Sequence, residues 1–183
     1  MRHCPNRFFH RILALALCLA LAFAVTGHAR AEAAPLPAVQ VFTDYLDSID
    51  IVYSTSDYNA ETGMQTVFVS FAADHDFYKT LECQVLFGPQ ENMVSLRCWS
   101  LATPKVSRNK VLSTLNDLNS SFKFTKFVLD DSDGTVQAEM DMFMDPATCA
   151  VPVFNAVVIM ISIIDSDSCV SQLQALTKSI SIQ

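Results

Sequence analysis

From Val39 onward the apolar positions recur with helical spacing. Val39, Phe42, Tyr45, Leu46 and Ile49 fall on one face of a short helix. Glu32 to Ala38, just before it, contains Pro35 and Pro37 and predicts an extended leader. The period then drops to two. Ile51 to Tyr53 is β-branched and aromatic and opens a first strand, and Asn59 to Gly63 is a turn cluster. Three alternating segments follow. Val67, Val69 and Phe71 share a face in the first, and Leu81, Cys83, Val85 and Phe87 in the second, opposite Glu82 and Gln84. Val94, Leu96 and Cys98 do so in the third, opposite Ser95 and Arg97. Such alternation predicts half-buried strands of an antiparallel sheet. The residues from Gly88 to Asn92 supply the turn between the last two.

Pro104 closes this region. Ser107 is placed to cap a helix whose apolar face is Val111, Leu112, Leu115, Leu118 and Phe122. Lys123 to Leu129 is the next strand. A hairpin turn at Asp130 to Gly134 leads into an alternating one at Val136, Ala138, Met140, Met142 and Met144. From Ala150 to Ile164 the chain is almost wholly apolar. Its length without turn residues favours a helix over a buried strand pair. Fifteen residues are fewer than the ~20 a membrane span needs. Leu173, Leu176 and Ile180 continue an amphipathic pattern. The expectation is one α+β domain over residues 39–183, an antiparallel sheet flanked by helices.

The N-terminal residues follow another logic. Arg2, Arg7 and Arg11 precede fourteen apolar residues from Ile12 to Val25, and no acidic residue occurs before Glu32. Ala29 and Ala31 form a small-x-small site. This is the layout of a secretory signal peptide over residues 1–31, with cleavage between Ala31 and Glu32. It predicts a periplasmic or secreted protein with no stable membrane span after cleavage.

Composition and charge narrow the partners. Half the residues are apolar (51%) and 17% are charged, which excludes a disordered or low-complexity chain. The formal charge is −7 from 12 basic and 19 acidic residues, and losing residues 1–31 removes four arginines and takes it to −11. Nucleic acid is therefore not an expected partner. His75 becomes the sole histidine, so a multi-His zinc site is not available. It lies in a polar Asp-His-Asp loop, where a solvated role is expected.

Other constellations have structural readings. Asp130-Asp131-Ser132-Asp133-Gly134 looks like calcium chemistry, but an EF-hand register would put Leu129 and Met140 at the ligand positions. A turn accounts for the same residues. The four glycines, at 27, 63, 88 and 134, form no phosphate loop. No nucleophile, base and acid set stands out, no cofactor is expected, and the chain is expected not to be an enzyme. A small envelope hydrolase using paired carboxylates is the enzymatic alternative. Asn116 and Asn119 share a helical face, either toward a peptide partner, or bonded to the adjoining strand or capping the helix end. Trp99 alternates onto the face opposite Cys98, facing a partner or packed beneath a helix.

The order helix, antiparallel strands, helix, hairpin, helix carries in its middle Val111-Leu112-Ser113-Thr114-Leu115-Asn116-Asp117-Leu118-Asn119, followed by Phe122-Lys123-Phe124-Thr125-Lys126-Phe127. With the paired asparagines ahead of an aromatic strand, it resembles the YbjN-like family of bacterial sensory transduction regulators. That resemblance implies a fold like the type III secretion chaperones, and a chaperone-like or regulatory module whose partner is a protein or peptide. It supplies no catalytic residues. A structural subunit of an envelope complex is a further alternative. The apolar stretch Val151 to Ile164 needs cover around nearly its whole circumference, from the C-terminal segment or from a second copy in a homodimer.

The cysteines add one geometric expectation. A turn over Gly88 to Met93 pairs Phe87 with Val94, Val85 with Leu96 and Cys83 with Cys98, which puts all the apolar residues on one face. A disulfide between Cys83 and Cys98 is expected in an oxidising compartment, worth roughly 3 kcal/mol by loop closure. Cys149 and Cys169, at opposite ends of the helical region, are poor partners for each other.

Overall fold

The computed structural model describes residues 35–90 and 92–178. The expected signal peptide, its junction at Ala31 and Glu32, and Ile180 lie outside these residues. Among the described residues are four helices and six strands: α1 (Pro37–Ser48), β1 (Tyr53–Thr55), β2 (Gln65–Ala72), β3 (Thr80–Phe87), β4 (Met93–Ala102), α2 (Arg108–Ser121), β5 (Lys126–Leu129), β6 (Val136–Phe143), α3 (Ala150–Ile164) and α4 (Asp167–Thr177). The fold is α+β.

Helix α1 begins inside the segment expected to be extended. Pro37 occupies its first turn, where a fixed φ helps and a missing N–H costs nothing. Val39, Phe42 and Leu46 are fully buried. The helix stops where Asp50 turns left-handed (φ 56°) and the Ile51 amide reaches back to the Leu46 carbonyl. Chain exit through that turn delays β1 to Tyr53, two residues later than expected, and leaves Val52 85% exposed.

The sheet is wholly antiparallel in the order β1-β2-β3-β4-β6-β5. β2, β3 and β4 form a meander. α2 then carries the chain across, and the β5–β6 hairpin returns with β6 against β4 and β5 at the edge. Gly63 (φ 67°) lies at the turn before β2, where a Cβ would stand 2.7 Å from Pro89 Cβ. The β3–β4 register is the expected one: Phe87 faces Val94, Val85 faces Leu96 and Gln84 faces Arg97. Period-two alternation puts Val67, Val69, Leu81, Cys83, Val85, Phe87, Val94, Leu96 and Cys98 into one buried layer.

Against that layer lie α1 on β2, α3 on β3 and β6, and α4 on β4, while α2 packs on β5 and α4. α2 buries Val111, Thr114, Leu115 and Leu118, and Leu112 is exposed. The apolar face predicted for this helix was thus one residue too wide, because at 100° per residue Leu112 turns away from the β5 and α4 contacts. β5 is also shorter than expected. Lys123 to Thr125 precede it, with Phe124 in solvent. No single helix among the described residues is long and apolar enough to cross a membrane, and α3 and α4 bend by 57° at their junction.

Candidate functional site

The opposite face of the sheet carries the half-buried and exposed strand residues. A polar row crosses it through successive register partners, Gln84, Arg97, Glu139 and Lys126, with Phe68 beside Gln84 on β2. Arg97 is its hub, 2.9 Å from Asp141 and 3.9 Å from Glu139, and it also donates to the Leu96 carbonyl at 2.8 Å. Partial burial works to raise the Asp141 pKa. Hydrogen bonds from Ser95 and Arg97, and the Arg97 charge, outweigh it, so the carboxyl sits below its usual range. A hydrolytic general acid needs the opposite shift. Asp141 and Glu139 thus flank Arg97 as an ion-pair cluster on the open face.

Next to this row the β3–β4 ladder ends. Its last rung is Gln84 with Arg97, and beyond Cys98 the β4–β6 register also shifts, resuming at Ala102 with Val136. Three β4 residues, Trp99, Ser100 and Leu101, thus stand opposite the single residue Gln137. Ser100 takes a left-handed φ of 54° to make this bulge. Trp99 follows the alternation onto the open face, 43% exposed, and the kink after it returns Leu101 to the buried side. A cleft of about 190 Å³ opens there, lined by Glu82 and Gln84 of β3, Trp99 and Ser100 of β4, and Tyr78 from the preceding loop. Trp99 therefore lies on the open face and not under a helix. The bulge had no sequence signal, since serine and not glycine takes the strained position.

Asn119 has a different task. Its side-chain amide donates to the Phe127 carbonyl at 2.9 Å, and its oxygen accepts from the Phe127 amide at 2.7 Å. This clamps the outer edge of β5, where backbone groups would otherwise face another chain. Asn116 is exposed, one helical turn away. The pair shares a face as expected, and only Asn119 is seen to bond the strand.

The Asp130 to Gly134 hairpin forms as predicted. Asp130 accepts from the Ser132 amide at 2.8 Å, Gly134 is left-handed (φ 74°), and Asp131 pairs with Arg108 of α2. His75 is less solvated than expected. Its Nε2 is 3.3 Å from Asp167, and the neighbouring Asp74 amide donates to Asp165 at 2.6 Å. The β2–β3 loop is thereby tied to the α3–α4 junction.

Cys83 and Cys98 are fully buried thiols one rung beyond Gln84 and Arg97, beneath the cleft. Cys98 Sγ lies 3.6 Å from Met160 Sδ of α3. Its hydrogen bond with Cys83, reinforced by burial, pushes the Cys98 pKa up. Cys169 on α4 is pushed up to about 12 by burial.

Helix α3 presents a second surface. Val153, Ala156, Val157, Met160, Ile161 and Ile164 face the core, while Val151, Asn155, Val158, Ile159 and Ser162 form an exposed stripe on the other side. Val151, Val158 and Ile159 are 49%, 39% and 44% exposed. No charged residue occurs in the helix. Among the described residues the C-terminal segment returns to the domain as α4, which docks on β4 and α2 and leaves the stripe exposed.

The class these features define is an α+β domain with helices on one sheet face and an open, aromatic-lipped cleft on the other. No protein-family model matches the sequence, and no curated protein is significantly similar to it. Among solved structures the chain is similar to that of the ExsC–ExsE complex, at 15% identity and a TM-score of 0.46, over 78% of this chain and 94% of that one.

Proposed function

We propose that this chain is a protein-binding module, chaperone-like or regulatory in kind, that receives a segment of a partner protein at the Trp99 cleft. The observation that carries this reading is Trp99 itself. A large aromatic side chain stands half in solvent at the lip of a cleft, beside a bulge that places a serine in the left-handed region. Backbone strain kept at one spot of an otherwise regular sheet, beside an exposed tryptophan, fits a recognition site better than a packing role. The polar row through Gln84, Arg97 and Glu139 gives the rim that such interfaces use.

The YbjN-like resemblance, which runs over roughly residues 39–179 and is carried mostly by residues 111–127, supports the same class of function and adds its regulatory colour. The N-terminal pattern of residues 1–31 supports work outside the cytoplasm, in the periplasm or beyond. N-terminal sequencing of the protein recovered from an envelope fraction is expected to start at Glu32. The exposed stripe of α3 is the surface on which a second copy would sit. Being uncharged, it lets two acidic chains meet without opposing carboxylates.

Trp99 is the single tryptophan, so its emission reports directly on the site. Titration with a permanently unfolded, reduced and alkylated protein is expected to blue-shift that emission to a plateau. Trp99→Ala should weaken binding of the same client, followed by its own fluorescent label, at least tenfold. Unchanged emission and undiminished client binding by the variant would remove the cleft from the proposal. An absence of any client binding would remove the chaperone-like function.

A further inference from the structure

Continuing the β3–β4 register one step past Gln84 and Arg97 sets Cys83 opposite Cys98. Opposed residues in an antiparallel pair have Cα atoms ~4.5 Å or ~5.5 Å apart, depending on the kind of rung, and both values lie within disulfide range. Both side chains are fully buried in the same core layer of the sheet. The other rungs of β3 and β4 hold Phe87 with Val94, Leu86 with Ser95, Val85 with Leu96 and Gln84 with Arg97. This one holds two thiols directly below the place where the strands begin to part around Trp99 and Ser100.

We infer that Cys83 and Cys98 join as a cross-strand disulfide that closes the sheet where its hydrogen-bonded ladder stops and so fixes the floor of the Trp99 cleft. The oxidant is a disulfide, either glutathione disulfide or the active-site disulfide of a thiol oxidase. One cysteine, as thiolate, attacks it and releases one thiol. The second cysteine then attacks the resulting mixed disulfide and releases the other, so two protein thiols lose two protons and two electrons to the one disulfide reduced. The reaction belongs to the folding chain, before α3 closes over the pair. In the finished core Cys98 is buried against Met160 and has almost no thiolate with which to react.

Trypsin reads this pairing cleanly because Arg97 separates the two cysteines. Cleavage at Lys79, Arg97 and Lys105 places Cys83 in peptide 80–97 and Cys98 in peptide 98–105, while Cys149 and Cys169 share peptide 127–178. The chain from Glu32 onward is unfolded in reductant, refolded in a glutathione disulfide buffer, alkylated in denaturant without reduction and digested. A covalent pair of peptides 80–97 and 98–105, released by reductant, is the expected result. In the refolded oxidised chain, acrylamide should also quench Trp99 less than in the chain refolded under reductant. Alkylation of both Cys83 and Cys98 in the oxidatively refolded chain overturns the inference, as does a linkage of Cys83 to peptide 127–178. The mapping involves neither the client nor the dimer surface, so its failure would leave the binding proposal to be judged separately.

Discussion

Asn119 shows how one side chain can finish a sheet. β5 is an edge strand of four residues, and the Phe127 amide and carbonyl that point away from β6 meet both ends of the Asn119 carboxamide. Removing that amide strands two backbone groups beside a buried phenylalanine, at about 1–3 kcal/mol for each group that water fails to reach. Asn119→Ala is therefore expected to lower unfolding stability by about 2 kcal/mol in urea titration, while Asn116→Ala, at an exposed site, should stay within about 0.5 kcal/mol. Equal effects from the two would show that the clamp contributes nothing. The spacing of the two asparagines was legible from the sequence, and so was their helical face. Which of them reaches the strand depends on where β5 starts. That start was misplaced by three residues, because Phe122 and Phe124 extend the apolar alternation past the point where the backbone pairs.

At the scale of elements, strands and helices were largely legible, and irregularities were not. Alternation identified β2, β3, β4 and β6 with their core faces, because one buried and one open sheet face leave a clean period of two. The β3–β4 register followed from the same constraint. The bulge at Trp99 to Leu101 left no trace, since Ser100 carries no turn residue's signature and the strain is imposed by pairing with β6. In α3 an all-apolar composition located the helix but could not say which side the sheet would cover. The structure answers that with the stripe of Val151, Asn155, Val158, Ile159 and Ser162. If a second copy covers it, a charge at its centre must be desolvated or repelled in the dimer and is harmless in the monomer. Ile159→Glu is expected to give a monomer by light scattering at concentrations where the unmodified chain is dimeric, with an unchanged circular dichroism spectrum. A monomer in both cases would leave the stripe without this partner.

Among the described residues the Arg97 cluster lies on the open sheet face while Cys98 and Cys169 are buried in the core, so acid and alkali act on different groups. Asp141 is held below its ordinary pKa by Ser95 and Arg97. A depressed carboxyl contributes stability above its unfolded pKa near 4, and that contribution disappears as pH falls through the folded value. Since Asp141 is half in solvent, the pair is worth no more than about 1 kcal/mol. Relief of net negative charge works the other way in the same range, so the contribution is read as a difference. Arg97→Ala should be slightly less stable than the parent at pH 7 and indistinguishable from it at pH 2–3. At the alkaline end, burial raises Tyr78, with Cys169, Asp165 and Cys98 nearby adding to the effect, and burial alone raises Cys169. Both stay protonated in the fold while the unfolded chain releases their protons from about pH 9–10 upward. The unfolded state then binds fewer protons, and stability falls as pH rises. Tyr78 Oη is buried and makes no hydrogen bond, so Tyr78→Phe gives up nothing at pH 7 and sheds the cost of burying a hydroxyl. Its edge-to-face packing on Phe77 remains available to the phenyl ring. The variant is expected to be at least as stable as the parent at neutral pH. Above pH 10 its stability should fall less steeply by about one proton, or about 1.4 kcal/mol per pH unit, in urea titrations at stepped pH. Parallel alkaline limbs for parent and variant would mean that Tyr78 ionises as freely in the fold as in the open chain.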